Sequence, residues 1–247
     1  MLKLEQSLMR ACPRGLRLPV RFLYQRARNR LEPELLYLRQ LGVHGGRAID
    51  VGANEGMYSY ALSRLCDRVE AFEPQSACTD DIAAYSVNHH SKIAVHHVAL
   101  SNQQSRRTLY IPTVPGGSRI LTGLASLQPL PGTEQQIEVE TRRLDEYDFR
   151  DVRFIKIDVE GHEREVLEGA RETILRERPI LQLEIEQRHH QDPIAPIFAL
   201  IGSLGYACSF LRRGRLVSLS DASVLAPDER NTDYVHNFIF HPSAARQ

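Results

Sequence analysis

The chain has 247 residues, 42% hydrophobic and 25% charged, an ordinary balance for a globular protein and enough to bury a sizeable core in one large domain. Its 31 basic and 31 acidic residues cancel, so bulk electrostatics does not direct it to nucleic acid, and it contains no apolar run of about 18 residues that would span a membrane. Cys12, Cys66, Cys78 and Cys208 lie far apart without a C-x-x-C pair, which argues against a disulfide framework or a zinc site and for reduced thiols in the cytoplasm.

Residues 1–44 read as a basic helical extension. Within it, residues 1–31 carry eight Lys or Arg against Glu5 alone, so this segment is +7 and the remainder −7. Leu2, Leu8, Leu16, Val20, Phe22, Leu23 and Leu31 alternate with arginines at helix-compatible but irregular spacing. Two readings stand: a helical cap packed on a sheet edge, or a basic helix resting on an anionic membrane surface.

Residues 45–247 read as an α/β domain. Strands are expected at AIDV (48–51), VEAFE (69–73), IAVHHVAL (93–100), VRFIKID (152–158) and ILQLEIE (180–186). Helices are expected at Met57–Leu65, Ser76–Asn88, Glu163–Arg176 and Ile194–Leu204. Such alternation implies right-handed crossovers and a mostly parallel sheet with helices on both faces. The tail reads as a hairpin, YACSFL (206–211) to LVSL (216–219) through Gly214, followed by a last strand, VHNFIF (235–240). Residues 112–136 hold four prolines and four glycines with no clear period, and read as an insert or lid.

The loop after the first strand, D-V-G-A-N-E-G from Asp50 to Gly56, departs from the G-x-G-x-x-G dinucleotide fingerprint. Gly52 and Gly56 let the chain turn close to a ligand, and Asn54 tolerates a left-handed backbone where a middle glycine would stand. Asp50 brings a carboxylate to the mouth of this loop, a poor neighbour for phosphate and a good one for an ammonium or sulfonium. Glu73, at the tip of the second strand, is placed to grip a ribose diol. A ribose and a cation without phosphate describe S-adenosylmethionine. A nicotinamide-dependent oxidoreductase of similar fold and a non-catalytic cofactor-binding module are the alternatives.

IDVGANEG, AFEP, HVALSN and above all FIKIDVEGHEREVLEGA resemble the FkbM family of S-adenosylmethionine-dependent methyltransferases, over roughly residues 45–240. The resemblance implies a class I methyltransferase fold, Rossmann-like, with seven strands of which the last is antiparallel. It also implies methyl transfer to a hydroxyl, on a sugar or glycan, a glycolipid or a secondary metabolite; the zero net charge argues for no nucleic-acid partner.

Period-two alternation along VRFIKID puts Phe154, Lys156 and Asp158 on one face and Ile155, Ile157 and Val159 on the other. By position in this fold, Asp158 faces the transferable methyl group as a candidate base, with Glu160 beside it and Glu184 at the end of the fifth strand as further acceptor-side candidates. Asp158, Glu160, His162 and Glu163 also form a carboxylate–imidazole cluster open to a divalent ion, although no metal ligands are assigned. Ser101 borders the adenine by position. His189 and His190 lie at the cleft mouth, and His96 or His97 is expected to face a helix.

Overall fold

Strands buried on both faces read as continuous apolar runs, and those runs form the centre of the sheet. The computed structural model describes Met9 and residues 11–113, 121–129, 133–219 and 235–243. In chain order its elements are α1 (Arg14–Ala27), α2 (Pro33–Tyr37), β1 (Arg47–Val51), α3 (Met57–Ser63), β2 (Arg68–Phe72), α4 (Ser76–His89), β3 (Ile93–His96), β4 (Ala99–Leu100), β5 (Ser105–Pro112), β6 (Thr133–Arg142), β7 (Val152–Ile157), α5 (Glu163–Gly169), α6 (Arg171–Glu177), β8 (Ile180–Glu184), α7 (Ala195–Ser203), β9 (Tyr206–Arg212), β10 (Arg215–Ser218) and β11 (Asn237–Pro242).

The main sheet runs β3-β2-β1-β7-β8-β11-β9-β10. β1, β2, β3, β7 and β8 are parallel, and β11 is antiparallel to both β8 and β9. The expected seven strands are present with the antiparallel strand between β8 and β9, and the hairpin partner β10 adds an eighth. The strand order reverses at β1, which β2 flanks on one side and β7 on the other, all three running in the same direction. A crevice opens outside the strand ends at such a switch point.

Alternation along each strand divides the interior in two. Ile49, Val51, Ile155, Ile157, Phe238 and Phe240 join one apolar cluster, whereas Ala48, Phe154 and Ile239 join the other. The second cluster also takes in Leu18, Leu31, Leu35 and Leu38. The extension therefore packs over α3 and α4 on one face of the sheet, not on its edge.

Three expectations differ locally. The run 93–100 is two strands: β3 stays in the main sheet, while β4 pairs with β6 in a separate sheet ordered β4-β6-β5. The helix over 163–176 breaks at Ala170, whose φ of −109° and ψ of 4° leave the helical region, and the preceding Gly169 lies so close to Ser101 that a Cβ would stand 2.0 Å from its carbonyl oxygen. The region 112–136 connects an antiparallel hairpin, β5 to β6, whose second strand already includes its last residues, and its described part folds back so that Ser126 bridges Tyr110. Residues 114–120 and 130–132 lie outside the described residues.

Candidate active site

A cavity of about 580 Å³, its open mouth included, lies at the carboxyl ends of β1, β2 and β7. Val51, Phe72, Leu100, Leu109, Leu127 and Val159 give it apolar walls, and Asn54, Glu73, Asp158, Glu160 and His162 bring polar groups to it. Thr122 and Gly123 of the returning 121–129 segment close one side, held by the Gln75 side-chain amide donating to the Thr122 carbonyl at 3.0 Å.

The glycine-rich turn is formed as its residues demand. Gly52 sits at φ +76°, and a Cβ there would lie 1.8 Å from the Asp158 carbonyl oxygen, so β1 and the end of β7 approach each other only because the residue is glycine. Asn54 holds a left-handed φ of +46°. Four of the loop's amides are already engaged. Gly52 and Ala53 donate to the Phe72 carbonyl, Asn54 to Glu73 Oε2 at 3.0 Å and Gly56 to the Ala53 carbonyl. A pyrophosphate cradle needs such N–H groups free.

Glu73 is held from both sides. Its Oε2 takes the Asn54 amide, and its Oε1 takes the Gln75 amide at 2.9 Å and the Gln75 side chain at 3.2 Å. Burial raises its carboxyl above the usual range, and these hydrogen bonds oppose that. A carboxylate has about four acceptor sites, so with these three donors room remains for one hydroxyl from the cavity. Asn54 Oδ1 is buried without a protein partner.

Asp50 takes a different place from the loop mouth. Its side chain is wholly buried and does not line the cavity; Ser59 donates to its Oδ2 at 2.6 Å, and Lys156 Nζ lies 3.9 Å from its Oδ1. Gly56 is likewise behind the cavity, against Ile82 and Leu18. Ser101 is fully buried beneath the wall and bonds His162 Nε2 at 2.9 Å. Burial lowers His162 to about 4, so the imidazole is neutral at pH 7.

At the other end of the cavity carboxylates crowd together. Lys156 Nζ is 2.9 Å from Asp158 Oδ2 and stands 4.7 Å over the Tyr58 ring. Burial alone would lower the ammonium, but Asp158, Asp50 and Glu32 outweigh it and hold Lys156 above the usual lysine range. Glu160, at φ +53°, pairs its Oε2 with His189 Nδ1 at 2.6 Å; burial raises Glu160 in spite of that partner. Glu184, just outside the cavity lining, is pushed up to about 9 by burial and by Asp158, Glu160 and Glu32.

Glu32 was not among the expected site residues, because nothing in the periodicity of the extension marks it. Tyr58 donates to Glu32 Oε2 at 2.7 Å and accepts from the buried Gln182 at 2.6 Å. The extension thus delivers an acid to the side where Glu184 stands.

The four residues of the 158–163 cluster do not converge. Glu163 accepts the Gly161 amide at 3.0 Å and faces His190, while His162 turns to Ser101. Among the described residues, the His and carboxylate group with donor atoms within 4.8 Å of one another is instead Glu184, Glu186 and His236, where Arg188 also pairs with Glu186. His97 faces α4 through Thr79, and His96 stacks on Phe72 and contacts Glu70.

Strand order, switch point and cavity together define the class I methyltransferase fold. A model of the methyltransferase FkbM domain matches residues 50–208, and the chain belongs to that family. Among solved structures, the methyltransferase FkbM of Methylobacillus flagellatus KT aligns at 17% identity and TM-score 0.52, over 97% of this chain and 58% of its own. This chain therefore spans less than two thirds of that protein. An S-adenosylmethionine-dependent O-methyltransferase from Thermotoga maritima aligns at 11% identity and TM-score 0.43, over 86% of this chain and 65% of its own. An rRNA methylase from Streptococcus thermophilus aligns at 11% and 0.43, over 81% and 88%. Identities this low speak to the fold alone, and the fold rests on the first of the three. No curated protein matches the chain in sequence.

Proposed function

We propose that the chain is an S-adenosylmethionine-dependent O-methyltransferase acting on a hydroxyl of a sugar or glycan, a glycolipid or a secondary metabolite. The observation that carries this reading is a single cavity with Glu73 and Asn54 at one end and Asp158 and Glu160 at the other. The residues present fit the cofactor. Glu73 keeps an acceptor site for a ribose hydroxyl, the unpartnered Asn54 Oδ1 suits an ammonium, and the apolar walls suit an adenine ring. The engaged loop amides disfavour a pyrophosphate, and with it a nicotinamide dinucleotide.

When bound, the cofactor supplies an electrophilic methyl group. The protein's part is to hold an acceptor oxygen in line with it and to receive the hydroxyl proton. Asp158, kept close to Lys156, is the group we assign as base; Glu160 and Glu184 shape the acceptor side. Incubating the protein with cofactor labelled in its methyl group and an extract of the source cell tests the reading. An ether-linked label in an isolated hydroxyl compound is the expected product. Label on nitrogen, or a hydride-transfer activity with NAD, contradicts it.

A further inference from the structure

The extension's charge is divided between two surfaces. On α1, Arg14, Arg17 and Arg21, three and four residues apart, share a face, and that face is consumed by the domain. Arg14 meets Asp80 at 3.5 Å, Arg17 meets Asp81 at 3.5 Å, and the buried Arg21 meets Asp81 at 3.2 Å and Glu55 at 3.6 Å. The face turned away carries Leu16 and Leu23, 44% and 59% exposed, and α2 adds Leu36 at 52%.

Between α1, α2 and α3, Leu23 and Leu36 border a groove of about 1060 Å³, its open side included. Arg26, Arg39 and Arg64 line it, together with apolar and tyrosine side chains and no carboxylate. None of the three guanidinium groups makes an ion pair or hydrogen bond among the described residues, unlike those of their neighbours on the packed face. In a chain of zero net charge, three arginines without a counter-ion around exposed leucines form a local excess of both charge and apolar surface.

We propose that this groove is the docking surface for an anionic phospholipid bilayer. Guanidinium forks match phosphate oxygens with two parallel hydrogen bonds, and leucines beside them enter the boundary between headgroups and acyl chains. Charge complementarity selects this occupant over a second copy of the chain, whose identical groove would set arginines against arginines. The bilayer lies along the outer part of α3, through Tyr60, Ala61, Arg64 and Leu65, behind the cofactor loop and away from the cavity. The inference goes beyond the proposed reaction and does not depend on it.

Sedimentation of the full chain with vesicles tests it. Vesicles of equal parts phosphatidylglycerol and phosphatidylcholine are expected to carry the protein down at low salt, and pure phosphatidylcholine vesicles to leave it in solution. Each arginine removed should lower partitioning roughly fivefold, so Arg26→Gln with Arg39→Gln gives a drop of roughly twentyfold or more. The charge-matched control Arg150→Gln with Arg153→Gln, whose side chains are 61% and 62% exposed far along the chain, should leave it unchanged. Leu23→Ser with Leu36→Ser should weaken binding without changing its salt dependence. All four positions in the groove variants are exposed, and circular dichroism verifies that each variant stays folded. Equal binding to both vesicle types, no sedimentation at low salt, an equal loss in the control pair, or self-association abolished by the leucine substitutions overturns the proposal.

Discussion

The two ends of the cleft are built on opposite principles. At the Glu73 end the polar contacts are local: Gly52, Asn54, Glu73 and Gln75 lie within 24 residues, and Glu73 takes the amides of Asn54 and Gln75. At the Asp158 end, Glu32, Asp158, Glu160 and Glu184 come from three places in the chain and face one another with Lys156 as the shared cation. The first is a low-energy fixture. The second holds like charges together at a free-energy cost that a purely structural design would avoid. That difference teaches where function imposes on stability.

The strongest way to break the comparison is Gly52→Ala, since this residue joins the ends. With φ +76° and a Cβ 1.8 Å from the Asp158 carbonyl oxygen, the change should destabilise by about 3 kcal/mol or more, read by denaturant unfolding. At the acceptor end the sign reverses. Glu184 has its folded value raised from 4.5 to about 9. Its contribution to stability is therefore fully present below about 4.5 and is lost progressively as pH rises through about 9. Glu184→Gln should thus raise the unfolding free energy by roughly 2–4 kcal/mol near pH 9 and by little near pH 4, read by denaturant unfolding. A gain independent of pH would show that the carboxylates do not repel one another in solution.

Glu73→Ala sharpens the other side. It leaves the Asn54 and Gln75 amides without acceptors, and should lower affinity for S-adenosylhomocysteine about tenfold to hundredfold with a stability loss of about 1–3 kcal/mol. Tyr58→Phe removes the link between Glu32 and Gln182; a loss of about 1 kcal/mol in a denaturation curve is expected, with cofactor affinity unchanged. Arg14→Ala, at a 63% exposed ion pair outside both ends, should stay within about 0.5 kcal/mol of the parent protein.

The same contrast explains what the sequence disclosed. The central strands were legible because apolar runs such as AIDV and FIKI are short and bounded by turn residues, and Asn54 was legible as a left-handed residue because few other side chains tolerate that backbone. The hairpin β5–β6 escaped notice although Leu109 and Ile111 on one strand, and Ile137 and Val139 on the other, alternate with polar residues; the adjoining prolines and glycines masked the period. Asp50 was recognised as informative, but its carboxylate lies under the loop with Ser59, and phosphate is disfavoured by the occupied amides above it. Which way a side chain turns at a strand end depends on partners such as Lys156, more than a hundred residues away, and no local pattern carries that. Glu32 was out of reach for the same reason. Its role exists only once α2 is folded against Tyr58.

Calorimetric titration of the purified chain with S-adenosylhomocysteine and, separately, with NAD tests the central claim most directly. Saturable one-to-one binding of S-adenosylhomocysteine, weakened in Glu73→Ala, with no heat from NAD, is the predicted result. Binding of NAD with none of S-adenosylhomocysteine would contradict the account.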